Sequence, residues 1–151
     1  MSTGETITDA FLDWVKQTIS GTGLVADGCL FDEREKGLTW IISEAVQAFS
    51  DVVCVVSLPG LSHDEGSPMA GGYKITLEVR LRRCPVLCNV NSLAITEKLF
   101  RVFDGAKFYP GATDGELADL NSNVTAEGIG NISKGDADLL HRITLSTVVQ
   151  I

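Results

Sequence analysis

Between residues 7 and 20 the apolar positions Ile7, Phe11, Trp14, Val15 and Ile19 recur at helical spacing, so they form one stripe and predict an amphipathic helix. Thr6, followed three residues later by Asp9, is a capping pattern, and Gly21 with Gly23 supplies a stop. The stretch Tyr73 to Arg83 has a different period. Tyr73, Ile75, Leu77, Val79 and Leu81 point one way and Lys74, Thr76, Glu78, Arg80 and Arg82 the other, which predicts a long strand with one buried face, ended by Pro85. His141 to Ile151 alternates in the same way, so the C-terminal residues are expected to lie in the sheet. Val52-Val-Cys-Val-Val56 is a short β-branched run that suits a strand covered on both faces.

The weaker segments complete the plan. Ile95, Leu99, Val102 and Phe103 predict a helix over 93–104, with Asn91 or Ser92 as cap and Gly105 as stop. Residues 38–49 place Leu38, Ile41, Ile42, Ala45 and Phe49 on one helical face, although Thr39-Trp-Ile-Ile42 could equally open a strand. Loops are expected over 22–36, where Asp32-Glu-Arg-Glu-Lys36 is a charge run, over Gly60 to Gly72, and over 105–119, where Phe108 and Tyr109 would serve as aromatic anchors. A weak strand is expected over residues 121–132. The expected architecture is a single α+β domain over residues 1–151, a mixed or antiparallel sheet of about four strands packed against two or three helices.

Charge narrows the partners. Twelve basic and twenty acidic side chains leave a net charge of -8, which opposes non-specific binding to nucleic acid or to an anionic membrane. No segment approaches the roughly 20 apolar residues of a membrane span, and Met-Ser-Thr-Gly-Glu-Thr lacks a signal peptide's basic start, so residence in a cytoplasm is expected. There the four cysteines, Cys29, Cys54, Cys84 and Cys88, would be reduced thiols.

Candidate chemistry is sparse. His63 and His141 have no metal-ligand partner at a diagnostic spacing, and Cys84 with Cys88 lacks a second pair, so no metal or cofactor is expected. Gly128-Ile-Gly130 is followed by Asn131 and not by a phosphate-binding helix, and Ser62 and Ser67 sit in no nucleophile elbow. No enzymatic activity is expected. Lys74, Arg80, Arg82 and Arg83 concentrate on one strand and would suit a docking face. The plainer reading is a solvated sheet face whose cations pair with Glu78 and nearby acids, since aromatic residues for base stacking are absent there.

Taken together, the N-terminal amphipathic helix, the Val-rich strand leading into a long loop (Val52 to Gly72), the Tyr73 to Pro85 strand, the helix at 93–104 and the closing C-terminal strand resemble the small neck and tail-terminator proteins of tailed bacteriophages and prophages. Cys84, where a polar or acidic residue is expected before the Pro, and the apolar segment at 38–49 depart from that pattern. The resemblance implies a non-catalytic virion subunit, assembled in the bacterial host cytoplasm, that forms a homo-oligomeric ring, commonly a hexamer. Its partners would be tail-tube and neck or connector proteins, with DNA passing through the lumen unbound. On this reading Arg80, Arg82 and Arg83, with His63 and Asp64 from the long loop, are the candidate subunit or partner contacts. The alternatives are a small cytoplasmic ligand-binding or enzymatic α+β domain, with His63 and Asp64 in a pocket between sheet and helices, and a dimer or adaptor joined through an exposed strand edge.

Overall fold

Thr6 caps the first helix, α1 (Ile7–Thr22), as its spacing from Asp9 predicts: the Thr6 hydroxyl accepts a bond from the Asp9 amide at 3.2 Å, and the Asp9 carboxylate accepts one from the Thr6 amide at 3.5 Å. Gly23 ends it at φ 70°, a backbone state that a side chain would strain. The computed structural model describes residues 6–37, 39–41, 52–63, 72–83, 92–108, 122–131 and 140–150.

Among these residues the sheet has seven strands: β1 (Leu30–Asp32), β2 (Val52–Val56), β3 (Gly60–His63), β4 (Gly72–Arg83), β5 (Lys107–Phe108), β6 (Ser122–Asn131) and β7 (Leu140–Gln150). A second helix, α2 (Ser92–Phe103), lies between β4 and β5. The strand order is β1-β2-β4-β7-β6-β5, with β3 also paired to β4. Only β1 and β2 run parallel; every other pairing is antiparallel, so the sheet is mixed.

The chain is therefore α+β, but its sheet is larger than the four strands expected. The additional strands β1, β3 and β5 fall in segments read as loop, at 22–36, 60–72 and 105–119, and have three, four and two residues. Segments so short leave little or no room for a period-2 pattern, and their pairing with a neighbour defines them. The 121–132 segment, by contrast, is a full strand of ten residues. Residues 39–41 are helical, and the rest of the 38–49 segment lies outside the described residues.

Both helices cover one face of the sheet, α1 over β1, β2 and β4, and α2 over β4, β6 and β7. Ile75, Leu77, Val79 and Leu81 supply that face from β4, Ile143 and Leu145 from β7, and Cys54 and Val56 from β2. An aromatic group locks the layer: Trp14 of α1 lies 5.8 Å from Phe103 of α2 and 5.7 Å from Phe108 of β5, and Phe11 meets Phe108 edge-on at 5.1 Å. Phe108 is thus the aromatic anchor expected of its segment.

Among the described residues the opposite face is covered at one end. There Val53, Val55 and Leu140 pack with Ile41, flanked by Phe31 and Trp40, so that β2 is buried along its whole length. Across β4, β7 and β6 the same face turns polar.

Candidate functional site

On that polar face, Arg80 of β4 stands directly opposite Arg142 of β7, a pairing of like charges that weakens a sheet unless an acid intervenes. Glu78 intervenes. Its Oε1 accepts a bond from Arg80 at 3.0 Å and its Oε2 one from Arg142 at 3.3 Å. Glu33, in the turn after β1, accepts from Arg80 on the other side. Arg80 is left only 11% exposed. Arg82, two residues on, is buried on the same face beside Val53, and Arg83 pairs with Val52 at the strand end.

Arg80 pairs with Glu78 and Glu33, and Lys74 with Glu127 at 3.1 Å, as the reading of cations paired with nearby acids expects. The expectation of solvation is corrected at Arg80 and Arg82, which are enclosed. Glu33 and Glu78 engage the charge of Arg80 within the subunit, and Arg82 is buried beside Val53. His63 lies in β3 opposite Tyr73, while Arg80 lies seven residues further along β4. At 3.3 Å per residue this separates the two sites by roughly 23 Å, and the fold does not bring them together. Asp64 lies outside the described residues.

A second charged group stands where α1 crosses β1. Asp32 is 1% exposed and accepts bonds from Lys16 at 2.9 Å and from the Arg34 guanidinium at 2.8 and 3.1 Å, while the Arg34 amide donates to it at 2.9 Å. Burial is the largest influence on its carboxyl and opposes ionisation, but these donors together outweigh it and hold the group far below the ordinary carboxylate range. Asp32 in turn raises the Arg34 guanidinium. Lys16 is raised as well: burial acts against its charge, and the bonds to Asp32 and Glu35 overcome it. The arrangement ties helix to strand and leaves no carboxylate lone pair facing a cleft.

His141 and Ser92 are both buried, with Nε2 and Oγ 3.0 Å apart, and the Thr96 hydroxyl donates to the Ser92 carbonyl at 2.7 Å. This group seats the start of α2 on β7. Cys54 is fully buried, and burial pushes its thiol up to about 12, the state of a core side chain and not of a nucleophile.

Among the described residues, two exposed features lie at sheet margins. One margin is the corner where β2 passes to β3 along the side of β4. Ser57 keeps contact with β4 there, its amide donating to the Glu78 carbonyl and its hydroxyl accepting from the Glu78 amide, both at 2.8 Å. Leu58 and Leu61 are 50% and 48% exposed at this corner, and the Leu58 amide donates to Glu33 at 3.4 Å.

The other is the stretch of β6 beyond its pairing with β5. A bulge between Ala126 and Gly128 breaks its register with β7, and beside it lies a groove of about 240 Å³ lined by Glu127, Gly128, Ile129, Gly130, Arg142 and Thr144. The groove exists because Gly128 and Gly130 put no side chains over the Arg142 and Thr144 positions they pair with. As a phosphate loop Gly128-Ile-Gly130 has no following helix, since it lies within β6. Its useful signal was the presence of two glycines within a strand, which marks a bulge or a close approach.

Among the described residues no helix is long and apolar enough to cross a membrane. The chain matches no protein-family model and no curated protein sequence.

Proposed function

We propose that this chain is a ring-forming assembly subunit of a tailed bacteriophage or prophage, a tail terminator or neck component that acts by contact and not by catalysis. The observation that carries the reading is the pair of unlike sheet margins: an exposed leucine corner at β2 and β3, and a glycine-lined groove at β6. A subunit whose two joining surfaces differ binds head to tail, and head-to-tail contacts close into rings when the rotation between copies permits. The order of helices and strands along the chain supports the phage assignment. Six copies is the stoichiometry the resemblance implies, with the tail tube below and the neck above as partners and DNA passing through the lumen.

Light scattering and negative-stain microscopy of the purified chain, alone and with a polymerising tail-tube protein, test the reading. A closed ring, and tubes capped at one end by it, are the expected results. A monomer at every concentration and salt tested, which also leaves tube growth unchanged, overturns it. Assembly that stops at two copies points instead to the adaptor joined through one strand edge.

A further inference from the structure

We infer that the groove beside the β6 bulge binds a small zwitterion of dipeptide length, with its carboxylate on Arg142 and its ammonium group on Glu127. The inference concerns a single copy of the chain and does not rest on the ring reading. Both side chains lie on the polar face of the sheet. Arg142 stands opposite Gly130, and Glu127 stands in the bulge, where it accepts from Lys74 at 3.1 Å.

Each of these charges is held on one side and open on the other. The Nη1 of Arg142 donates to Glu78 at 3.3 Å, which anchors the guanidinium through one nitrogen. Its Nε and Nη2 border the space above Gly130, where a Cβ would stand 3.4 Å from the first and 3.9 Å from the second. That pair of nitrogens is an edge through which arginine grips a carboxylate by two parallel bonds, and among the described residues neither has a hydrogen-bond partner. Glu127 repeats the arrangement with the opposite sign: Lys74 holds its Oε1, and its Oε2 has no partner among the described residues. Thr144, opposite Gly128, lies between the two ends, and its hydroxyl is likewise without a partner among the described residues. Gly128 and Gly130, lacking side chains, let a ligand lie against the backbone in the space of about 240 Å³.

Charge decides the class of ligand. A simple anion is repelled by Glu127 and a simple cation by Arg142, whereas a zwitterion is attracted at both ends. Glu127 and Gly130, over which Arg142 lies, are three positions apart on β6, roughly 10 Å along a regular strand and somewhat less across the bulge. That span exceeds the charge separation of a free α-amino acid and suits a dipeptide with both termini free.

Dialanine is the probe, titrated into the isotope-labelled full chain in its single-copy state and followed by nuclear magnetic resonance. It should shift the amide signals of Gly128, Gly130 and Thr144 saturably. N-acetyl-dialanine lacks the ammonium group and dialanine amide lacks the carboxylate, so each should bind about tenfold more weakly. Arg142→Lys keeps the charge but loses the paired nitrogens, and Glu127→Gln loses the negative charge; each should weaken dialanine binding by about the same factor. Gly128→Leu fills the groove and serves if either variant unfolds, since a Cβ at Gly128 meets nothing within 4 Å and the residue is not in the left-handed region. It should abolish the shifts. No saturable shift in the parent overturns the site, as does binding of the blocked peptides as tight as that of dialanine, or binding unchanged in Gly128→Leu.

Discussion

A carboxyl group as enclosed as that of Asp32 would ordinarily resist ionisation, yet it is held charged by Lys16 and Arg34. Its folded-state pKa is therefore lowered from the 3.8 of the free side chain. The sign follows directly: the group stabilises the fold above about pH 4, and that contribution is lost as pH falls below it. Asp32→Asn keeps the shape and removes the charge. Urea unfolding should show it less stable by about 2 kcal/mol at neutral pH, with the gap to the parent closing under strong acid. Arg80 gives a second measurable case. Arg80→Glu would place three carboxylates together with Glu33 and Glu78, and a loss of about 3 kcal/mol or more is expected in thermal or urea unfolding. Arg142→Glu, at a more exposed site, should cost about 1 kcal/mol or less. Of these contacts the sequence showed the pairing of the β4 cations with Glu78, two positions from Arg80, but not the others, because Lys16 and Asp32 are 16 positions apart and Glu33 and Arg80 are 47.

At the scale of elements, periodicity performed well wherever an element was long enough to express it. The α1 stripe, the 93–104 helix, β4, β7 and the double-sided burial of β2 are all present, because one face of each meets a core and the side-chain period records that face. The stripe also identifies what holds α1 in place. Phe11→Ala removes a fully buried ring from the aromatic group and should destabilise by about 3–5 kcal/mol, whereas Thr6→Ala removes only the cap and should cost about 1 kcal/mol. Circular dichroism melts of the two variants test that ranking, and equal losses would mean that the cap, and not the core face, anchors the helix.

In the whole molecule β4 is paired along both sides, to β2 and β3 on one and to β7 on the other, and β7 lies between β4 and β6. Backbone amides of β4 and β7 should therefore exchange slowest, and those of β3 and β5 faster by several orders of magnitude, as followed by hydrogen exchange with mass spectrometry. Protection in β3 equal to that in β4 would show its outer side to be covered, and would remove the corner from the proposed interface. The amino-acid sequence by itself determined the class of the fold and the inward faces of its long elements, since burial of alternate or helically spaced side chains is a local property written in residue order. It also determined the acidic total. Only the tertiary structure decided the strand count, the enclosure of Arg80 and Arg82, and the meeting of Arg142 with two glycines at a bulge. Those depend on which distant segments pair and in what register, and a charge or a two-residue strand carries no local mark of its eventual neighbour.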